Sequence, residues 1–174
     1  MPVHKGDVFF IAAGTLHAIG AGILIAEVQQ NSNTTYRVSD YGRLGADGKP
    51  RQLHIEKALD VTERKKPQIP YGNIGEREKT SYGTVRELAK CNLFTASILE
   101  LDGKTKVQNK DSFTSLLVLN GEVTVKWKDG EIKASKGASI FVPAILPLSF
   151  KSLILGFMIF ALQRYHAART AVAI

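Results

Sequence analysis

Lys5-Gly6-Asp7-Val8-Phe9-Phe10-Ile11-Ala12-Ala13-Gly14-Thr15-Leu16-His17-Ala18 is written twice in this chain. The second copy is Lys136-Gly137-Ala138-Ser139-Ile140-Phe141-Val142-Pro143-Ala144-Ile145-Leu146-Pro147-Leu148-Ser149. Each reads as a Lys-Gly turn, an apolar run of strand length, and a short loop of small residues with Gly or Pro. The offset is constant, so His17 falls opposite Leu148. One copy keeps an imidazole where the other has a hydrocarbon, as a working site and its retired duplicate would.

Strand signals dominate outward from both copies. In the first half, Val8–Ile11, Ile23–Gln29 and Thr34–Val38 are rich in branched and aromatic residues. Asp47-Gly48-Lys49-Pro50 carries turn chemistry, and Leu53–Val61 has the apolar spacing of a short helix. Residues 62–90 are polar and read as a connection. A second series follows at Phe94–Leu101, Ser115–Leu119, Glu122–Trp127, Glu131–Ala134, Ser139–Val142 and Leu148–Phe150. Asn120-Gly121 and Asp129-Gly130 are placed as type I′ hairpin turns. Leu153–Leu162 reads as a buried strand passing into a terminal helix or ragged tail. The expected class is mainly β, a sandwich or small barrel with one or two short helices. The second series suffices for a small jelly-roll lobe. The first lacks early strands, as if the chain began in the middle of a barrel.

With 174 residues, 44% apolar and 22% charged, the chain can bury a proper core. A single cysteine, Cys91, excludes an internal disulfide framework and points to the cytoplasm, with packing as its expected role. The net charge of +7 invites a nucleic-acid reading. Residues 103–152 hold eight Lys and four acidic residues in no Arg-rich or aromatic-interleaved stripe, so scattered solvated lysines are expected and nucleic acid is not. Anionic small molecules such as sugar phosphates remain compatible partners. No signal peptide opens the sequence, and the apolar run from Leu153 is too short for a membrane span of about twenty residues.

His17 lies in a loop of small residues after a strand. Period-two alternation puts Glu27 and Gln29 on one face of the returning strand, so one hairpin face could present all three side chains. Histidine, carboxylate and amide suit a divalent metal or acid–base site. They equally suit a hydrogen-bonded loop histidine beside a solvent-facing pair. Arg37, inside a run of β-formers, either meets an anion or lies on an edge strand in water. Arg43 and Lys49 follow in the same region and could assist an anionic ligand. His54 is expected to be structural.

Four motifs taken together resemble the type I mannose-6-phosphate isomerases of the short bacterial kind. These are Ala13-Gly14-Thr15-Leu16-His17-Ala18, Glu27-Val28-Gln29-Gln30-Asn31-Ser32, Thr34-Thr35-Tyr36-Arg37-Val38 and Arg51-Gln52-Leu53-His54-Ile55-Glu56-Lys57-Ala58. Residues 93–152 resemble that family's C-terminal β lobe more loosely. The resemblance implies a cupin fold and zinc-dependent exchange of mannose 6-phosphate with fructose 6-phosphate, an aldose–ketose isomerisation. It implies that His17 is a zinc ligand, Arg37 the active-site arginine and Glu27 a carboxylate lining the pocket, the candidate catalytic proton carrier; Arg43, by its position beside them, is the candidate substrate contact. It divides the chain into the C-terminal part of a catalytic cupin barrel (1–62), a connection (63–92), a second cupin-like lobe without metal ligands (93–152) and an apolar tail (153–174).

The family's Gln/Lys-x-His-Pro and Gly-Lys-Thr-Glu motifs do not occur in this sequence. Catalytic zinc takes about three protein ligands. The chain is therefore expected to be inactive alone and to need a polypeptide supplying an N-terminal half, with self-association through open sheet edges as a further expectation. The alternative is a non-catalytic cupin remnant that binds a sugar phosphate or a protein partner.

Overall fold

The computed structural model describes residues 1–30, 32, 34–66, 69–107, 111–163 and 170–173, with 107, 152–163 and 170–173 described by backbone only. The elements run β1 (Val8–Ala12), β2 (Glu27–Gln29), α1 (Ile55–Val61), β3 (Tyr71–Gly72), β4 (Arg77–Thr80), β5 (Gly83–Lys90) and β6 (Phe94–Val107). They continue as β7 (Thr114–Asn120), β8 (Glu122–Trp127), β9 (Gly130–Ser135), β10 (Ser139–Val142), β11 (Leu148–Gln163) and β12 (Thr170–Ala173). All ladders are antiparallel. One sheet has the order β2-β12-β1-β3; the other runs β10-β7-β11-β6-β5-β4, with β8 on β11 and β9 on β8. The molecule is mainly β, as the strand density implies.

Alternation decides what is buried. Leu99, Leu101, Leu116, Val118, Val123, Val125, Val142, Leu148 and Phe150 point to one side of the larger sheet and form its core. In a second cluster Val8, Phe10 and Val28 of the smaller sheet meet Leu88, Leu93, Phe94 and Ala96 of β5, β6 and their turn. Cys91 belongs to that turn: its Sγ faces the Phe94 carbonyl at 3.5 Å and receives the Leu93 N–H at 3.4 Å. That is a packing and turn-closing role.

The duplicated stretches share a backbone signature. Gly6 and Gly137 have φ of 91° and 89°, and Gly14 and Ile145 have φ of 83° and 70°. The second copy thus forces a β-branched residue into a left-handed turn that glycine occupies in the first, at a cost of about 1–2 kcal/mol. Ile145 is 68% exposed, so little burial is lost on removing its side chain. Ile145→Gly is expected to raise the unfolding free energy by about 0.5–1 kcal/mol, read as a higher urea midpoint. A lower midpoint would show that the isoleucine contacts outweigh the strain.

Several sequence expectations are corrected. Thr34–Val38 is not a strand, because Arg37 finds its backbone partners in one residue: its N–H donates to His54 Nδ1 (3.2 Å), and its carbonyl accepts the His54 N–H (2.7 Å). Ile23–Gln29 is a strand only at Glu27–Gln29. Asn120-Gly121 is no hairpin: β7 and β8 are successive partners of the same strand β11, joined by a kink at Gly121. A type I′ turn needs two left-handed residues, and only Gly121 of the pair is one. The β8–β9 hairpin does exist, but its loop is Lys128-Asp129, and Gly130 sits in the ladder opposite Trp127. A Cβ there would come 2.9 Å from the Trp127 ring.

The polar stretch 62–90 contains β3, β4 and β5. It is knit in at Gly83, where a Cβ would lie 1.9 Å from the Glu100 carbonyl oxygen. Leu153–Leu162 continues β11, and β12 takes the place of a terminal helix at 170–173. Burial of Leu153–Leu162 and the structure of 164–169 lie outside the described residues. The lysines are not scattered either. Register gathers Lys106, Ser149, Lys126 and Glu131 in one cross-strand row and Lys104, Lys151, Thr124 and Lys133 in the next. Glu131 pairs with Lys126, and Glu122 follows in the row beyond.

Candidate active site

Helix α1 organises the candidate residues. His54 immediately precedes it and clamps the Arg37 backbone; just beyond its other end, the Glu63 N–H donates to the Gly14 carbonyl at 2.9 Å. Gly14 is left-handed, and a Cβ on it would stand 2.7 Å from the Val61 carbonyl oxygen, so only glycine lets the loop approach the helix. Seven helical residues span about 10 Å. The loop bearing His17 and the segment bearing Arg37 are thus attached to opposite ends of one short rod.

His17 is exposed, and its Nδ1 lies 2.8 Å from the Thr15 carbonyl oxygen. A carbonyl can only accept, so in the neutral ring Nδ1 carries the proton and Nε2 keeps the lone pair. That tautomer leaves Nε2 able to accept a metal. Among the described residues no group of three His, Cys, Asp or Glu side chains stands ready to hold a metal. One imidazole does not make a zinc site, which takes about three protein ligands.

The expected β1–β2 hairpin is replaced by a three-strand arrangement in which β12 lies between them. Glu27 registers with Ala173, Ala173 with Phe9, and Phe9 with Tyr71. Glu27 and Gln29 therefore share a face with Phe9 and Ile11, opposite the core-facing Val8, Phe10 and Val28. The alternation expected for Glu27 and Gln29 holds; direct adjacency of their strand to β1 does not.

Arg37 and Arg43 converge on a residue that sequence reasoning passed over. Asp40 is 8% exposed. Arg51 donates to both its carboxylate oxygens through Nε and Nη2, while Arg43 Nε lies 3.5 Å and Arg37 Nε 3.8 Å from Oδ1. Arg37 Nη1 also donates to the Gln52 carbonyl at 3.2 Å. The hydrogen bonds from Arg51 hold the Asp40 carboxyl below the ordinary carboxylate range; burial opposes this, and the charges of Arg51, Arg43 and Arg37 add to it. A depressed carboxyl stabilises the fold above the unfolded-state value near pH 4, and that contribution is lost as pH falls through the folded value.

Asp40-Tyr41-Gly42-Arg43 is a type I′ turn with φ of 51° at Tyr41 and 70° at Gly42, closed by the Arg43 N–H on the Asp40 carbonyl at 2.9 Å. It exposes the Tyr41 ring, with the Arg43 guanidinium 5.8 Å from its centroid. Lys49 lies in the neighbouring Gly48 turn, its N–H on Asp47. The signal that could have found Asp40 was available: a carboxylate three residues from each of two arginines, before a Tyr-Gly turn.

Known proteins resemble the chain in sequence and in fold. The family described as mannose-6-phosphate isomerase, cupin domain, matches residues 84–150. The mannose-6-phosphate isomerase ManA of Bacillus subtilis is 39% identical over 120 residues, covering 69% of this chain and 38% of that protein. The crystal structure of a mannose 6-phosphate isomerase from Bacillus subtilis superimposes with a TM-score of 0.64 at 26% identity, covering 76% of this chain and 41% of that one. An RmlC-like cupin from Shewanella frigidimarina, 18% identical, shares the fold at a TM-score of 0.50 over 58% of this chain and 94% of its own. The chain spans less than half the length of the two isomerases. No helix among the described residues is long and apolar enough to cross a membrane. The chain is related to the mannose-6-phosphate isomerases, and residues 84–150 form its match to their cupin domain.

Proposed function

We propose that this chain supplies one wall of the active site of a cytoplasmic, zinc-dependent mannose-6-phosphate isomerase, and that a second polypeptide supplies the rest. The observation that carries this reading is α1 tying the His17 loop at one end and Arg37 at the other, in a chain similar to proteins so named. Aldose–ketose isomerisation moves a proton from C2 to C1 of an open-chain sugar through a cis-enediol, so negative charge develops on neighbouring oxygens. Arg37 would offset that charge or the phosphate's, and Arg43 would meet the phosphate from the adjoining turn. Glu27 is the proton carrier on this reading, taking the C2 proton and returning it to C1. His17 would give its Nε2 lone pair to zinc alongside ligands from the partner polypeptide.

The purified chain is expected to bind zinc weakly and to leave mannose 6-phosphate unchanged. Co-expression with a polypeptide bearing the Gln/Lys-x-His-Pro and Gly-Lys-Thr-Glu motifs should give stoichiometric zinc and turnover. Tight zinc and conversion by the chain alone would overturn the shared site; zinc without conversion in the assembly would overturn the isomerase.

A non-catalytic binding role is the second reading. It is favoured by the apolar side chains exposed on the loops flanking His17, Leu16 at 65% and Leu24 at 92%. Light scattering of the chain alone separates a surface that takes a second copy from one that needs a different polypeptide.

A further inference from the structure

Asp40 engages Arg43 with its side chain and its main chain, for its carbonyl accepts from both the backbone N–H (2.9 Å) and Nε (3.4 Å) of that residue. Arg51 is the anchor, with two donors on the carboxylate. Arg37 is 23% and Arg43 64% exposed in their side chains, so the second pair of charges stands nearer solvent than Asp40 at 8%. Three guanidinium groups around one carboxylate leave a local charge of +2. A phosphate monoester carries nearly −2 above its second pKa of about 6.

We propose that Asp40 is a positioning residue: it fixes Arg37 and Arg43 around one carboxylate and so presets two guanidinium groups for a doubly charged oxyanion. The ordering of two long side chains, which a ligand would otherwise have to impose, is completed by the fold. The left-handed Tyr41 fits this role. L-residues with a side chain rarely adopt that conformation, and the turn that requires it brings Asp40 and Arg43 together. The inference rests on the reading of Arg37 as an anion-facing group.

Charge and positioning predict opposite signs, which makes the test decisive. Asp40→Asn keeps the shape and removes a negative charge. If Asp40 merely dilutes the positive field, inorganic phosphate binds tighter to the variant. If it positions the arginines, phosphate binds about tenfold more weakly although the net charge has risen. Calorimetric titration with inorganic phosphate at about pH 8 and low salt reads this. In the same samples the Arg37 Nε–H should exchange with solvent about tenfold faster than in the parent chain. Asp40→Glu retains the charge and displaces the carboxylate by one methylene. An intermediate loss of affinity supports positioning, and unchanged affinity overturns it. Equal or tighter phosphate binding by Asp40→Asn, or unaltered Arg37 exchange, would also overturn the proposal. Failure of the parent chain to bind phosphate, with Arg37 exchange still dependent on Asp40, would reject the anion reading of Arg37 and leave the positioning role supported.

Discussion

Phe150→Ala is expected to lower the unfolding free energy by about 3–5 kcal/mol. The side chain is 1% exposed, in a cluster with Leu99, Leu101, Leu116, Val123, Val125 and Leu148. Its strand is flanked at this point on both sides, for Phe150 registers with Thr105 of β6 and Val125 of β8. Two ladders hold the backbone in place, so the surroundings cannot collapse into the space that the ring leaves. The loss should be at the upper end for its chemistry. For a domain of this size it corresponds to a fall of about 6–20 °C in Tm. Phe141→Ala makes the contrast: Phe141 is 65% exposed and meets the Phe113 ring at a tilt of 31°, 5.0 Å between centroids. Its loss should stay below about 1 kcal/mol. Comparable losses from the two variants would mean that the core is not where the ladders put it.

The strands around Phe150 were readable because each carries its own evidence. Glu122–Trp127 and Ser139–Val142 alternate and are bounded by turn residues, and they fold as strands at those same limits. What failed was partner choice. Asn120-Gly121 has hairpin chemistry, yet β11 is long enough to accept β7 and β8 in succession, which no local pattern records. Ile23–Gln29 has strand composition, but only the part that meets β12 is one. The same limit applied to charge. Single lysines along separate strands look dispersed until register stacks Lys104 against Lys151 and sets Lys106 and Lys126 beside Ser149.

The candidate site was readable as a set of residue types and not as a geometry. His17 and Arg37 stand out for their settings, and the duplicated stretch marks His17 because Leu148 replaces it in the other copy. Asp40 did not stand out, since an acidic residue before a Tyr-Gly pair reads as turn chemistry. The i,i+3 spacing to Arg37 and Arg43 is a local hint, but the anchor is Arg51, eleven positions on, which no local window connects to it. His54 bonds the Arg37 backbone, a contact that replaces the ladder that Thr34–Val38 was expected to form. Long-range hydrogen bonds to loop segments are the part of a fold that periodicity does not encode.

If the chain completes an isomerase site as proposed, Arg37→Lys is expected to reduce kcat of the assembly by about 10²–10³-fold. Lysine keeps the charge but offers a compact ammonium in place of a planar fork, so it cannot meet Asp40, the Gln52 carbonyl and an anion together. The fold should be indifferent, because the clamp to His54 uses the N–H and carbonyl of residue 37 and survives any side chain. Asp40 likewise retains Arg51 and Arg43. Zinc content should be unchanged too, since the His17 loop is attached about 10 Å away at the far end of α1. The informative pattern is a collapse of turnover with Tm and bound zinc held constant, measured on the co-expressed assembly with mannose 6-phosphate. If kcat stayed within about threefold of the parent, the guanidinium would have no part in stabilising the enediolate or gripping the phosphate. Arg37 would then be an arginine that only ties the 37–54 loop to Asp40.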